Sequence, residues 1–521
     1  MPPVLATLAL LAPASLLVAS LRSGRLAAPA LGPSRRATVL ALVLALAAAV
    51  LTAGLGPVTS PLLGAAGVGL SVRLDAISCS MFLLVAFVGV IVVQYSRNYM
   101  DGDTRQGEFL GGLCRTLAAV MLLVLAGNLA QLVAAWAATS LSLHGMLVFY
   151  RERRAARIAA RKKFIAARLG DLCLVGAAVA MVHAFGSTDI ATILARAHDL
   201  PAHAATATWA AALLGIAALM KSAQFPAHGW LPEVMDTPTP VSALLHAGII
   251  NAGGFLLIRF ADVMLLSMTS LHLIALVGGF TALLGGVVML TQTTVKGALA
   301  WSTVAQMGFM TLQCGLGAFA IALLHLLAHS LYKAHAFLSS GSVIETSTLP
   351  VRNRPRLRSA AISLVLALAI YVAAGWLSGA FARPQAAVLT LGAILVMGTS
   401  LLLAPSWQGA PDARLVIRTL LLATVITVAY FALETAAIRL TAATLPPIPV
   451  PDTAGRWVMG LAIASFAAVS LLQSLAPRWM HRPTWRIARV HLANGLYVNA
   501  WANRLVGALR RSEPAHPTSV A

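Results

Sequence analysis

Long apolar segments separated by short polar ones run along most of this chain. Runs of about 20 apolar residues recur, and each is long enough to cross a hydrocarbon core of ~30 Å as an α-helix. Of the 521 residues, 59% are hydrophobic and only 10% are charged, whereas about a quarter of the residues of a soluble domain are charged. The pattern predicts an all-α polytopic membrane protein with about 15 transmembrane helices.

The predicted spans alternate with short connections in which glycine, proline and charged residues are concentrated. A Gly/Pro-rich segment over residues 56–73 predicts a short external hairpin or loop. The first apolar run has no basic residues before it and is followed by more spans, so we interpret it as an uncleaved first helix. The spans are predicted near residues 3–21, 37–55, 74–95, 109–126, 128–150, 164–185, 206–224, 240–260, 270–291, 295–316, 318–345, 358–380, 386–405, 413–441 and 456–476.

The end of the chain has a different pattern from the rest. We predict a transmembrane domain over residues 1–478 and a cytoplasmic segment over residues 479–521. Within residues 484–511, apolar side chains recur at helical spacing with arginines elsewhere on the helix, which predicts one amphipathic helix for a membrane surface or a partner groove. These apolar residues are Val490, Tyr497, Trp501, Leu505 and Leu509. The polar tail after Ser512 is predicted to be disordered.

The net charge of +21 is distributed unevenly among the loops. Basic residues cluster after the first, fifth, eleventh and fifteenth predicted spans, so they all fall on one side of the membrane. The positive-inside rule makes that side cytoplasmic and places the N-terminus outside and the C-terminus in the cytoplasm. Orientation and lipid contact thus explain the charge better than nucleic-acid binding does. The clusters consist of Arg22, Arg25, Arg35 and Arg36; Arg151, Arg153, Arg154, Arg157, Arg161, Lys162 and Lys163; Arg352, Arg354, Arg356 and Arg358; and Arg478, Arg482, Arg486 and Arg489.

The four cysteines are scattered through or near apolar spans, and no Cys-x-x-Cys motif occurs. They are expected to be small buried hydrophobic residues. We therefore expect no zinc or iron–sulfur site and no cofactor in this chain. The cysteines are Cys79, Cys114, Cys173 and Cys314.

Lys221 is the most informative candidate for function. It lies near the end of the seventh predicted span, just before a proline-interrupted stretch over residues 221–236 that predicts a broken helix. A lysine in a membrane span is costly, and a broken helix survives at membrane depth only where its freed backbone groups face protein or water. A lysine beside a broken helix is typical of a proton or cation pathway. A lysine near the end of a span can also extend its amine to the membrane interface.

Other ionisable residues lie inside predicted spans. Arg168 and Asp171 share a helix face at i, i+3 and can form an ion pair, either structural or functional. His246 follows a Thr-Pro-Thr-Pro sequence and can point toward the same broken region, or serve as an ordinary core residue. Lys296 is a further candidate in a short loop, where it can also be no more than a topology charge. Glu434 is poorly spaced for pairing with a charge in its own helix. Two alternatives remain: it pairs with a charge on another helix, or it serves as a second titratable site.

His325, His329 and Lys333 follow one another at i, i+4 and i+8, so they form one stripe along a helix face, with His335 off that stripe. Imidazoles at this spacing can pass protons through intervening waters. The same spacing also fits core histidines without a function, or a metal site. No carboxylate or thiolate accompanies the stripe nearby, which disfavours metal.

Three stretches resemble the antiporter-like subunits of respiratory complex I and the Mrp antiporters, and the resemblance covers roughly residues 70–345. They are residues 221–259, residues 292–310 and residues 325–341. The resemblance implies an antiporter-like fold and a proton-translocating role for Lys221. It also implies a polar axis continued by the remaining stripe and span residues, His246, His325, His329 and Lys333. Arg168 and Asp171 match the family pattern Arg-x-Gly-Asp.

The sequence departs from complex I in two respects. Relatives carry a glutamate after the tryptophan of the fifth span as partner of the lysine, but here Trp136 is followed by Ala137. By family position, Asp171 is then the nearest candidate partner for Lys221. Residues 359–381 also lack the lysine of the second broken helix, and the long lateral helix of the largest complex I subunit is not expected.

Residues 490–505 are similar to the C-terminal pattern of DabB, the membrane subunit of DabA–DabB inorganic carbon accumulation systems. This resemblance implies a cation-conducting subunit, with protons as the expected cation and Na⁺ still open. Cation movement would energise CO₂ hydration to bicarbonate in a DabA-like, zinc-containing partner on the cytoplasmic side, so this chain would not itself be an enzyme. The alternatives are a proton-pumping subunit of a complex I or hydrogenase-like NADH–quinone oxidoreductase and an Mrp-type Na⁺/H⁺ antiporter subunit.

Overall fold

A computed structural model describes residues 2–23, 31–150, 152–198, 204–341, 357–382, 385–407, 413–479 and 482–508. The tail after Ser512 and some residues of the predicted basic clusters and amphipathic helix lie outside the described residues. These are Arg25, Arg151, Arg352, Arg354, Arg356 and Leu509.

Helices dominate the described part of the chain, as the apolar segments predict. In chain order they are α1 (Pro2–Ala6), α2 (Leu11–Ser23), α3 (Leu31–Leu55), α4 (Ala76–Tyr99), α5 (Gln106–Val124), α6 (Leu129–Leu147), α7 (Arg154–Phe185), α8 (Ile190–Ala197), α9 (Ala205–Lys221), α10 (Trp230–Glu233), α11 (Thr239–Leu244), α12 (Ala252–Arg259), α13 (Ala261–Leu265), α14 (Met268–Met289), α15 (Val295–Gly315), α16 (Phe319–Leu338), α17 (Leu357–Leu377), α18 (Ala386–Leu403), α19 (Ala413–Thr441), α20 (Thr453–Trp479), α21 (Pro483–Ala493) and α22 (Val498–Ala508).

Twelve helical segments in the described part of the chain are long and apolar enough to cross a membrane. The fold is therefore that of an all-α, multi-pass membrane protein. The number is lower than the predicted one of about 15 spans. The apolar helix α9 is shorter than the twelve, and α6 and α15, which contain more polar side chains, are not among them.

The Gly/Pro-rich segment forms a hairpin, as predicted. Strands β2 (Leu63–Ala65) and β3 (Val68–Leu70) pair antiparallel around Ala66 and Gly67, which both have positive φ. Two such residues are what a tight two-residue hairpin turn requires. Outside this pair, β1 (Val58–Thr59) pairs with β4 (Arg73–Leu74) and leads the chain into α4.

A buried ion pair joins the start of α4 to the end of α12. Asp75 caps α4 by accepting a hydrogen bond from the Ser78 amide, and Arg259 donates to both carboxylate oxygens of Asp75, at 2.5 and 3.1 Å. Arg73 Nε donates to the same carboxylate at 2.8 Å. A buried carboxylate is tolerated when its oxygens are paired in this way.

Helices α14 and α15 lie against each other through glycines. A Cβ added to Gly278 would stand 2.7 Å from the carbonyl oxygen of Gly308, and a Cβ added to Gly308 would stand 2.7 Å from that of Gly278. Real Cβ atoms do not approach backbone so closely, so these glycines allow the two backbones to touch. Small residues serve this purpose in membrane helix pairs, where association depends on close packing.

The predicted start of one membrane-spanning helix was wrong. Helix α7 begins at Arg154 instead of near residue 164, so Lys162 and Lys163 are helical and buried, at 7% and 5% exposed, instead of lying in a cytoplasmic loop. Arginine, lysine and alanine all favour helix, and both lysines find oxygen partners inside the protein.

The predicted C-terminal amphipathic helix is two helices. Gly495, Leu496 and Tyr497 have φ values of 56°, 54° and 60° between α21 and α22. Consecutive left-handed residues cannot continue a right-handed helix, so the chain turns there. The Asn494–Gly495 dipeptide is the local signal for this turn.

Candidate ion-translocation site

The broken helix lies where the proline-interrupted sequence predicts it. Helix α9 ends at Lys221, and a turn with a cis Phe225–Pro226 bond leads to a 3₁₀ turn over Ala227–Gly229 and then to α10. The Gln224 side chain donates to the Ser222 carbonyl at 2.8 Å, and the Phe225 amide donates to the Thr281 hydroxyl at 3.1 Å. The break thus sits inside protein, with some of its freed backbone groups satisfied by side chains, as membrane depth requires.

Neutral oxygens on α6 hold the Lys221 amine. Lys221 Nζ donates to the Ser140 hydroxyl at 2.6 Å and to the Trp136 carbonyl at 3.2 Å. The amine also lies 4.3 Å from the centre of the Trp136 ring, a cation–π distance. Lys221 is buried, at 7% exposed. Its amine contacts a hydroxyl, a carbonyl and a ring face, all of them uncharged.

Asp171 is bonded to Arg168 instead of to Lys221. Arg168 Nη2 lies 2.6 Å from Asp171 Oδ2, which is the i, i+3 pairing that the spacing suggests. Both residues still lie near enough to Lys221 to interact with it electrostatically. The position of the missing glutamate, Ala137, directly follows the residue whose carbonyl binds the lysine.

Lys163 lies beside Lys221, although the sequence analysis assigned it to a loop. Lys163 Nζ donates to the Ser140 carbonyl at 2.6 Å, so Ser140 accepts from one lysine with its hydroxyl and from the other with its backbone. Both lysines line a narrow cavity, together with Trp230, Leu245 and Ile249. This cavity connects Lys221 with the next helix of the site.

His246 lies in a π-helical turn over Leu245–Ile249, between α11 and α12. Single π turns inside helices are frequent at functional sites, because they reorient side chains. The ring of His246 is fully buried and stacked on Phe337, with centroids 4.3 Å apart. Its Nδ1 shares a hydrogen bond of 2.9 Å with the Thr303 hydroxyl, and its Nε2 has no partner among the described residues.

The stripe on α16 continues from His246. His329 lies near enough to His246, His325 and Lys333 to interact electrostatically with each of them, and its Nε2 has no hydrogen-bond partner in the described structure. Lys333 is buried, donates to the Leu299 carbonyl at 2.9 Å and bonds to the Ser302 hydroxyl.

His325 forms the half-buried end of this stripe. Its Nδ1 lies 2.8 Å from Gln313 Oε1, and its Nε2 lies 2.8 Å from Gln306 Oε1. Both contacts are with uncharged amides of α15, so this imidazole is also held without a carboxylate.

The remaining candidates lie outside this cluster. Lys296 donates to the Thr239 hydroxyl at 3.2 Å at the start of α11, and His335 is exposed beside a groove against α4. Glu434 is 5% exposed, and it interacts with Tyr371 of α17 and Tyr430 of its own helix. These neighbours are phenols and not the charge on another helix that the sequence analysis considered.

Sequence reasoning missed the uncharged half of the site. Ser140, Ser302 and Thr303 supply the hydroxyls for the two lysines and for His246. Ser140 lies four positions after Trp136, so both lie on one face of α6. The serine at one helical turn from Trp136 was the sequence signal that could have predicted this partner of Lys221. Within the described residues, no group of three or more His, Cys, Asp and Glu side chains could hold a metal ion.

The arrangement is a row of buried basic groups held by neutral acceptors. Lys221 and Lys163 border a cavity that Leu245 and Ile249 of the π-helical turn also line. His246 of that turn is followed by His329, His325 and Lys333. Hydroxyls can both donate and accept, and the free imidazole nitrogens can bind a proton or a water. Such a row can pass protons from one basic group to the next.

Comparisons with known proteins define the class first. Residues 126–359 match the family described as NADH:quinone oxidoreductase/Mrp antiporter, and residues 63–110 match the chain 5 N-terminus family of complex I. A chain of the Mrp complex from Dietzia sp. DQ12-45-1b is 25% identical, with a TM-score of 0.65 that covers 99% of this chain and 64% of that one. Respiratory complex I from Thermus thermophilus, at 21% identity and a TM-score of 0.56 over 96% of this chain and 100% of that one, shares the fold. The protein is an antiporter-like membrane subunit.

Closer relatives narrow the class. A probable inorganic carbon transporter subunit, DabB2 of Halothiobacillus neapolitanus, is 36% identical over 464 residues, which cover 84% of this chain and 81% of the relative. The DabB subunit of Hydrogenovibrio crunogenus is 46% identical over 277 residues, about half of each chain, at 53% and 54%. The chain belongs to the DabB family, which confirms the resemblance drawn from its motifs.

Proposed function

We propose that this chain is the cation-conducting subunit of an inorganic carbon accumulation system, with protons as the cation. Protons move down their gradient through the row formed by Asp171, Lys221, His246 and the stripe on α16, which consists of His325, His329 and Lys333. This movement energises a DabA-like partner that hydrates CO₂ to bicarbonate. The names of the DabB relatives support the carbon substrate, and the antiporter-like fold supports cation translocation.

One observation carries the proposal: Lys221 is buried at the break of α9 and held only by uncharged partners in the described structure. An amine with a carboxylate partner leaves a buried negative charge behind when it gives up its proton, which is costly. An amine held by a hydroxyl and a carbonyl leaves none. Lys221 can therefore alternate between its two protonation states, as a proton relay must.

A thermodynamic requirement links the ion path to carbon accumulation. A zinc site that hydrates CO₂ also catalyses the reverse reaction, so net accumulation needs an external source of free energy. One charge that crosses a potential of about 100 mV supplies ~2.3 kcal/mol. In the proposal, this chain couples that free energy to CO₂ hydration, and the zinc site that hydrates CO₂ belongs to the partner.

The proposed setting follows from the positive-inside rule. The chain lies in a bacterial inner membrane with its N-terminus outside, and the partner binds on the cytoplasmic side. Purification of the tagged chain from membranes, followed by zinc analysis of the co-purifying protein, tests the partner. A zinc-free partner set of redox subunits would contradict this part of the proposal.

The Lys221→Ala variant tests the ion path. We expect loss of bicarbonate uptake with unchanged membrane level and unchanged partner co-purification, because the substitution removes one relay group and no charged partner. Met220→Leu, which keeps an apolar side chain at the neighbouring position, is the matched control and should transport normally. Normal uptake by Lys221→Ala would remove Lys221 from the mechanism.

An Mrp-type Na⁺/H⁺ antiporter subunit is the second candidate, because the similarity to a chain of the Mrp complex covers 99% of this chain. Bicarbonate uptake that depends on this chain supports the carbon function, and the sodium dependence of that uptake identifies the cation. The carbon proposal predicts uptake that a protonophore abolishes and sodium removal leaves unchanged. Uptake that instead requires sodium would make Na⁺ the conducted cation.

A further inference from the structure

A second polar cluster lies at the far end of the broken helix. Glu233, the last residue of α10, forms an ion pair with Lys162 of α7. Glu233 Oε1 also accepts hydrogen bonds from the side-chain amides of Asn499 and Asn503 on α22. Lys162 donates in addition to the Asn499 side-chain oxygen, at 2.5 Å.

This cluster connects to the centre of the site. Lys162 precedes Lys163, whose amine shares Ser140 with Lys221. Trp230, three residues before Glu233, lines the cavity between those two lysines. Helix α7 and Trp230 thus place the Glu233 cluster beside the two lysines of the site.

The cluster also reaches the surface of the protein. The Glu233 side chain is 24% exposed, and that of Lys162 is 6% exposed. His228 lies next to them, 1% exposed, near enough to Lys162 for electrostatic interaction, and neither of its ring nitrogens has a partner in the described residues. A partly exposed carboxylate that leads to a buried imidazole without partners is suited to admit a cation from water.

Helix α22 closes this point through side-chain hydrogen bonds. Asn499 and Asn503 share one face of the helix, whereas Trp501 and Leu505 on another face are 69% and 60% exposed. The left-handed residues Gly495–Tyr497 separate α22 from α21. Beyond this joint, the asparagine bonds hold α22 against Glu233 and Lys162.

We propose that Glu233 and Lys162 form the cytoplasmic access point for the conducted cation, and that Asn499 and Asn503 of α22 hold this access point closed. The proposal rests on the proposed function, since it supplies an entrance for the Lys221 path. Loss of the asparagine bonds opens the entrance and increases cation flux through Lys221.

The test uses membrane vesicles that contain the full chain. A potassium diffusion potential set by valinomycin drives protons, and a pH-sensitive dye reports their flux. Asn499→Ala/Asn503→Ala should raise the flux at least tenfold, because it removes several hydrogen bonds to charged groups, each worth about tenfold or more. Addition of Lys221→Ala to that double variant should remove the increase.

Two further variants control the test. Asn98→Ala removes an exposed asparagine amide near the end of α4, away from this cluster, and it should leave the flux unchanged. Gly229→Ala places a methyl group against the Asn499 side chain and should raise the flux without removing any polar group. It serves as the test variant if the double variant fails to fold.

Wild-type flux in either opening variant, or an increase that survives Lys221→Ala, overturns the access-point proposal. The proposed function fails separately, if Lys221→Ala in the otherwise unchanged chain leaves both proton flux and bicarbonate uptake at the wild-type level.

Discussion

Lys221 and Lys333 are held in the same way, each by one backbone carbonyl and one serine hydroxyl. The two pairs of acceptors come from different helices, α6 and α15. Neutral acceptors satisfy the donors of an amine without fixing its charge, and they leave no buried carboxylate when the amine is neutral. A proton relay at Lys221 therefore does not need a glutamate at the position of Ala137. The hydrogen-bond partner of Lys221 is Ser140, whereas the resemblance to complex I implied Asp171.

Ser140→Ala tests this role of the hydroxyl. The variant loses the 2.6 Å bond to Lys221 but keeps the Trp136 carbonyl, so we expect bicarbonate uptake to fall about tenfold, the value of one hydrogen bond to a charged group. Thr139→Val is the control, since the Thr139 hydroxyl bonds to the Ala135 carbonyl of its own helix. Equal uptake in Ser140→Ala and Thr139→Val would show that the hydroxyl does not serve Lys221.

Asp75 gives a prediction about stability instead of transport. Burial alone would raise the pKa of the Asp75 carboxyl, but the Arg259 and Arg73 guanidinium groups hold that pKa well below its usual range. The depressed pKa means that the stabilisation is fully present above the ordinary aspartate pKa of 3.8 and is lost as pH falls through the lower, folded value.

Asp75→Asn should lower the free energy of unfolding by about 3–5 kcal/mol, the cost of breaking a buried pair by removing one partner. Thermal unfolding in detergent at neutral pH measures this loss, and the gap to wild type should narrow only in strong acid. Asp101→Asn, a substitution of an exposed carboxylate in a loop, is the control. Equal melting temperatures for wild type and Asp75→Asn would contradict the structural role of the ion pair.

At the level of elements, the apolar pattern predicted the helices, the hairpin and the broken helix, because hydrophobic length and proline act locally. The pattern failed where distant contacts decide. Lys162 and Lys163 were assigned to a loop because basic clusters are concentrated in cytoplasmic loops, but Glu233 and Ser140 on other helices bind them inside the fold. The left-handed joint at Gly495 was missed because the apolar period continues across it.

The close contact of α14 and α15 predicts a coupling between packing and transport. Helix α15 carries Ser302 and Thr303, which hold Lys333 and His246. Gly308→Ala forces a Cβ to within 2.7 Å of the Gly278 carbonyl oxygen, so the helices must separate at a cost of about 1–3 kcal/mol. We expect a lower melting temperature and reduced uptake.

Gly286→Ala on α14 is the matched control, since nothing lies within 4 Å of an added Cβ there. It should unfold and transport as wild type does. If Gly308→Ala behaves in the same way as Gly286→Ala, the glycine contact does not position the hydroxyls of α15.

For the whole molecule, the uneven distribution of the net charge of +21 predicts its orientation. Ala66 at the hairpin turn and Asp101 in the loop after α4 are both exposed, and α4 separates them. A membrane-impermeant maleimide should therefore label Ala66→Cys in intact cells, and Asp101→Cys only after permeabilisation. The parent chain controls for its own cysteines, and the reverse pattern would invert the proposed topology.

The central claim is that proton movement through Lys221 energises bicarbonate accumulation, and Lys221→Arg tests it most directly. Arginine keeps the positive charge but does not release its proton in proteins, so it separates a relay from a fixed cation. Tracer inorganic carbon uptake in cells, measured beside co-purification of the partner, gives the answer. The account predicts an intact complex whose uptake matches that of protonophore-treated wild type. Wild-type accumulation by Lys221→Arg would contradict it.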